Sequence, residues 1–178
     1  NSLEIVLPLG ISFFTFQTMS YSIDVYYKRV EVSHNFLNFM TYVSMFPQLI
    51  AGPIVRYQDV MNELKERKVD FKLFCSGFFI FLTGLFKKVL LANNLGYLNS
   101  LITSDFSSIS LFTAWLGIIA FALQIYFDFS GYSTMAIGMG KMMGFNYPDN
   151  FNYPYVAKSI TDFWRRWHIT LSSWFRDY

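Results

Sequence analysis

Charge is missing from long stretches of this chain, and the places where it returns mark the predicted elements. Between Glu4 and Asp24 no residue is charged, and the run LPLGISFFTFQTMSYSI is long enough to cross most of about 30 Å of hydrocarbon. Pro8 and Gly10 near its start predict a break or a close helix contact, and Asp24 ends it beside Tyr26, Tyr27, Lys28 and Arg29, an interfacial grouping. Val32 to Val55 also lacks Asp, Glu, Lys and Arg, yet it holds His34, Asn35, Asn38, Pro47, Gln48, Gly52 and Pro53. That mixture predicts a helix ending near Phe46, then a non-helical piece through Pro47 to Pro53. At membrane depth such a piece is a re-entrant segment, buried in protein or lining a cavity.

Arg56 to Lys72 carries five basic and four acidic residues and reads as a solvated helix and loop. Leu73 to Phe86 is apolar, is interrupted by Lys87 and Lys88, and resumes in VLLANNLGYL. One tilted span suits it, its lysines either snorkelling or facing a cavity. The clearest span is the uncharged Phe106 to Phe127, which runs into QIYFDFSGYSTMAIGMGKMMGF. Asp128 there is followed by twelve more uncharged residues, so it is expected to face the bundle interior, with Ser130, Tyr132 and Ser133 as hydrogen-bond partners. Gly131, Gly138, Gly140 and Gly144 are expected to let helices approach closely. FNYPDNFNYPY, residues 145–155, is an irregular connector.

The last segment, Ser159 to Tyr178, holds three of the four tryptophans and one of the two histidines. At the helical period Ile160, Trp164, Trp167, Leu171, Trp174 and Tyr178 form one stripe, predicting a single amphipathic helix. Thr161, Arg165, His168 and Ser172 form a lane at its border. An aromatic, basic helix of this kind also suits a plain interfacial anchor.

Composition sharpens the membrane reading. Hydrophobic residues make up 53% of the chain, aromatics 21% and charged residues only 15%, against about 25% charged in ordinary domains. A net charge of +2 without a basic cluster excludes a nucleic-acid partner. Cys75 is the single cysteine and permits no internal disulfide. No CxxC, HExxH, GxSxG or Walker-type loop occurs, so metal hydrolysis, the usual serine triad and nucleotide hydrolysis lack their parts; no metal site and no bound cofactor are expected. The remaining candidates are His168, Asp128, Asp162, Arg165, Arg166 and Arg176. A histidine near arginines suits acyl transfer to a hydroxyl, the imidazole taking the alcohol proton and the cations stabilising an oxyanion.

The blocks QIYFDFSGYSTMAIG and NFNYPYVAKSITDFWRRWHITLSSWFRDY resemble the signature of the membrane-bound O-acyltransferases (MBOAT). LPLGISFFTFQTMSYSIDVYY and MFPQLIAGPIVRY resemble the bacterial branch of that family that includes the alginate O-acetylation protein. The resemblance implies an all-α integral membrane protein, a multi-helix transmembrane bundle with re-entrant and amphipathic helices around a tunnel, of which residues 1–178 are one incomplete piece. It implies that His168 is the first of two functional histidines. Arg165, Arg166 and Trp167 share its motif, with Asp128 and Ser172 as supporting residues. The second histidine is expected in a later His-Gly block beyond Tyr178, so the fragment alone is expected to be inactive. The implied reaction carries acetyl groups from a cytoplasmic donor, with acetyl-CoA as the candidate, to an exported polysaccharide or a periplasmic acetyltransferase partner, in the bacterial inner membrane. D-alanyl transfer to teichoic acid is a sibling alternative, and an export scaffold without covalent chemistry is another.

Overall fold

The computed structural model describes residues 10–49, 52–104 and 109–178, and among them the secondary structure is helical, with a single isolated β-bridge. Pro8 and residues 50–51 of the expected irregular pieces lie outside the described residues.

Two long antiparallel helical arms form one half of the fold. The first runs Phe71–Thr103 as α4 (Phe71–Phe86), a π-helical stretch (Lys87–Ala92) and α5 (Asn93–Thr103). Asp70 starts it by accepting a hydrogen bond from the Leu73 N–H at 2.6 Å. The second is α6 (Leu111–Met142), whose first turn is capped by Ser110. Both are long and apolar enough to cross a membrane, with mean hydropathy of 1.7 and 1.6. Their outward residues, among them Phe79, Phe112, Trp115 and Ile118, are more than half exposed, the pattern of a lipid-facing pair rather than a soluble core.

Glycines set the spacing of the two arms. A Cβ on Gly84 would lie 2.6 Å from the Gly131 carbonyl oxygen, and one on Gly138 would lie 2.7 Å from the Gly77 carbonyl oxygen. Backbones therefore touch at two levels seven residues apart on each helix, the close approach expected of Gly131 and Gly138. The expected single span through Lys87 and Lys88 is present, but its middle is π-helical. A π turn holds an extra residue, and here it turns both lysines toward α6: Lys87 Nζ donates to Thr134 Oγ1 at 3.2 Å and Lys88 pairs with Asp128.

The other half gathers α1 (Ile11–Tyr26), α2 (Phe36–Ser44) and α3 (Tyr57–Lys65) around a core of Val30, Tyr42, Met45, Val55, Tyr57, Val60, Phe145 and Tyr147. As expected, α2 stops before Phe46. The chain then makes a short 3-10 turn, Phe46–Gln48, and Pro47, Gln48, Pro53, Ile54 and Val55 are buried, so these described parts of the irregular piece are enclosed by protein. Gln48 Nε2 donates to the Tyr42 carbonyl and Tyr42 Oη to the Val55 carbonyl, which satisfies backbone that no helix serves. Asp24 departs from its interfacial reading: it is 1% exposed, accepting from Tyr178 Oη at 2.6 Å and pairing with Arg29 at 3.4 Å.

The expected single helix over Ser159 to Tyr178 is two helices, α7 (Ile160–Trp164) and α8 (Ile169–Asp177). His168 between them has φ 44° and ψ 55°. The break has a physical cause: backbone that would continue the helix is paired with the connector. Asn152 N–H donates to the Arg166 carbonyl, Ile169 N–H donates to the Asn150 carbonyl, and Phe151 bridges Trp167.

Candidate active site

The left-handed turn at His168 rolls its side chain inward, where it is only 9% exposed. The ring stands edge-to-face against Phe129 of α6, with centroids 4.9 Å apart and an interplanar angle of 85°. Its Nδ1 lies 3.0 Å from Asn150 Oδ1.

The neighbours of that oxygen fix the tautomer. Asn150 Oδ1 also receives the Thr170 N–H at 3.3 Å and lies 2.8 Å from Thr170 Oγ1. A backbone N–H donates only, so the amide atom facing it is the oxygen, and His168 Nδ1 must carry the proton. Thr170 Oγ1 completes the set, accepting from the Ile54 N–H at 3.0 Å while donating to Asn150. His168 Nε2 is left with its lone pair and bonds no described residue. Burial also pushes the imidazole pKa down from 6.5 to about 4, because the charged form loses its hydration. At neutral pH the ring is a neutral base with Nε2 as its acceptor atom.

The side chains of the other expected site residues make no hydrogen bond to the His168 ring. Arg166 donates from Nε to Asp162 Oδ1 at 2.8 Å and reaches the Asn152 carbonyl, so it clamps α7 to the connector. Arg165 is exposed, Ser172 is half-buried in the first turn of α8, and with the helix broken the lane Thr161–Arg165–His168–Ser172 does not form. Trp167 fills an aromatic box, 5.1 Å from Phe151 and 5.7 Å from Phe163. Asp128 is on α6 but pairs with Lys88 rather than with Ser130, Tyr132 or Ser133. Its place between the two arms still agrees with the rule that an intramembrane carboxylate finds a partner.

Asn150 and Thr170 belong to the site region and carried no signal in their own segments, whereas Lys87, also there, takes the cavity-facing one of its two expected settings. Asn150 is 1% exposed, and besides holding His168 it lines a cavity of about 350 Å³ together with Lys87, Ser133, Thr134, Asp149 and Tyr153. Among the described residues no group of three or more His, Cys, Asp or Glu side chains comes together.

A second cluster secures α8. Arg56 pairs with Asp177 at 2.8 Å and stands 5.2 Å over the Tyr178 ring, while Trp174 Nε1–H donates to the Phe16 carbonyl. Burial and the hydrogen bond to Asp24 raise the Tyr178 pKa, so the phenol stays protonated and donates.

Residues 11–178 match the model of the membrane-bound O-acyltransferase family. The chain is 48% identical over 182 residues to the probable alginate O-acetylase AlgI of Pseudomonas aeruginosa, covering 98% of this chain and 34% of that protein. It is 40% identical over 205 residues to the peptidoglycan O-acetyltransferase of Helicobacter pylori, covering 100% of this chain and 39% of that protein. With the teichoic acid D-alanyltransferase of Bacillus subtilis it shares 34% over 182 residues, covering 96% of this chain and 44% of that protein. The chain thus spans about a third of the length of the alginate relatives it matches.

Proposed function

The chain belongs to the membrane-bound O-acyltransferase family, and from that premise we propose that the protein containing it transfers acetyl groups from a cytoplasmic thioester donor, acetyl-CoA, for O-acetylation of an exported polysaccharide. The observation that carries the reading is the state of His168: buried, neutral and protonated on Nδ1, so that Nε2 is ready to accept a hydroxyl proton. Identity of 45–48% to relatives named for alginate O-acetylation supports acetyl as the group and a polysaccharide as the acceptor. We assign His168 to the active site, working with a second histidine in a later His-Gly block. Arg166 and Trp167 hold its backbone in place, and the setting is a multi-pass protein of the bacterial inner membrane.

The test replaces His168 by Ala in the full-length protein and measures O-acetyl groups on the polymer. The expected result is loss of acetylation with the protein still in the membrane; unchanged acetylation refutes the assignment. D-alanyl transfer is the reading favoured by the 34% identical Bacillus relative. It predicts alanyl esters in place of acetyl esters on the polymer of the wild-type strain.

A further inference from the structure

Two buried donors on residues that line the cavity beside Asn150 are used by no described residue. Asn150 Oδ1 is committed to His168 and Thr170, but among the described residues Asn150 Nδ2 has no hydrogen-bond partner, and neither has Ser133 Oγ on α6. Both residues are 1% exposed and both line the same cavity. An unpaired buried donor costs about 1–3 kcal/mol, so two of them in one cavity mark a place built for a ligand acceptor.

Ser133 leaves its hydroxyl unpaired, as does Ser130 three residues before it on α6, but of the two only Ser133 lines the cavity. Thr15, Thr18, Ser22, Ser44, Thr83 and Thr134 all bond the carbonyl four residues back in their helices. Ser133 has the same local option and does not use it. Formal charge narrows the ligand further. Lys87 and Asp149 both line the cavity, so its cation is matched by a carboxylate, and Lys87 already donates to Thr134. With the formal charges balanced, the two buried unpaired donors are themselves neutral, which suits a carbonyl oxygen. Phe127 adds an apolar wall suited to a methyl group.

We propose that this cavity binds the acyl carbonyl oxygen of the donor, held by Ser133 Oγ–H and Asn150 Nδ2–H, with Asn150 spanning the carbonyl subsite and the histidine. The assignment rests on the acetyl-transfer reading above and places the donor's reacting carbon on the connector side of α6. The donors are preorganised, so the same pair would stabilise negative charge as it develops on that oxygen.

The test is binding to the full-length protein in detergent. Two unreactive probes are compared: a ketone analogue of acetyl-CoA with CH₂ in place of the thioester sulfur, and S-ethyl-CoA, which lacks the carbonyl. Wild type is expected to bind the ketone about tenfold more tightly. Ser133→Ala and Asn150→Asp are expected to cut that preference at least threefold while binding S-ethyl-CoA as wild type does, which reports an intact fold. Ser133→Thr is expected to keep the preference. If wild type prefers the ketone and both Ser133→Ala and Asn150→Asp retain the full preference, the cavity assignment falls and acyl transfer stands. If wild type binds neither probe, the acetyl-thioester reading itself falls, and this inference with it.

Discussion

Replacing Asn150 by Leu tests the tautomer argument at its centre. The substitution nearly preserves side-chain volume but removes the oxygen on which three donors converge: Thr170 N–H, Thr170 Oγ–H and His168 Nδ1–H. The three losses are unequal. The threonine hydroxyl can rotate, and the imidazole can move its proton to Nε2, so only the Thr170 N–H is forced into an unpaired buried state, at about 1–3 kcal/mol. Adding a smaller penalty for the other two, and subtracting relief from the orphaned Nδ2, leaves a net destabilisation of about 2–3 kcal/mol. The functional loss is expected to be larger than stability alone explains. With the proton on Nε2, the acceptor lone pair moves to Nδ1 and faces the newly introduced apolar side chain instead of the substrate side, and general-base catalysis is worth about 10²–10⁴ in rate. Thr170→Val is the control. It strips one donor from Asn150 and the acceptor from the Ile54 N–H, costing about 1–2 kcal/mol, yet it leaves the His168 contact and the Thr170 N–H in place. Unfolding in detergent and acetyl transfer, measured on both variants of the full-length protein, separate the two effects. Asn150→Leu with activity within threefold of Thr170→Val would refute the tautomer assignment.

Three further outcomes follow from other parts of the structure. Because the folded-state pKa of His168 lies near 4 and its ordinary value is 6.5, the unfolded chain takes up the proton first on acidification. This stability is fully present above about pH 6.5 and is lost as pH falls toward 4, a total of about 3 kcal/mol; unfolding of wild type and His168→Gln at pH 7 and 4.5 should show the variant losing less, and equal losses would contradict it. Gly84→Val places its Cβ 2.6 Å from both the Gly131 carbonyl oxygen and the Met135 nitrogen, backbone that cannot rotate away, and is expected to cost about 2–3 kcal/mol in detergent unfolding. Lys88→Met leaves Asp128 without its cation between two apolar arms and should reduce the yield of folded protein by size exclusion, whereas Lys88→Met with Asp128→Asn should recover it.

Much of the frame was legible because hydrocarbon imposes a rule that a single sequence can display. Long apolar stretches with few charges become Phe71–Thr103 and Leu111–Met142, and Pro47, Gln48, Gly52 and Pro53 are buried in the irregular stretch after α2. Partners were less legible. Periodicity reports which side of its own element a residue occupies, not what comes to meet it. Lys88 stands forty positions before Asp128, and the Asn150 contact depends on the bridge between Phe151 and Trp167, so no local pattern announces either. Within FNYPDNFNYPY every polar residue looks alike, although Asn150 is fully enclosed and Asn152 is exposed.

The final segment shows why a correct motif carried an incorrect geometry. Its aromatics are so dense that a stripe at the helical period continues across the break between Trp164 and Ile169, with no Gly or Pro to interrupt it. Histidine is among the few side chains that enter the left-handed region with moderate frequency, at a cost of about 1–2 kcal/mol. Here that cost is offset by the bonds that the unwound residues gain: Arg166 and Ile169 to the connector backbone, His168 and Thr170 to one asparagine oxygen. His168 is therefore set by a turn that crosses the connector, not by the face of a helix. That is why the side chains of Arg165 and Ser172, its neighbours on a helical wheel, make no hydrogen bond to its ring, while Asn150, eighteen residues earlier, decides which of its nitrogens is free.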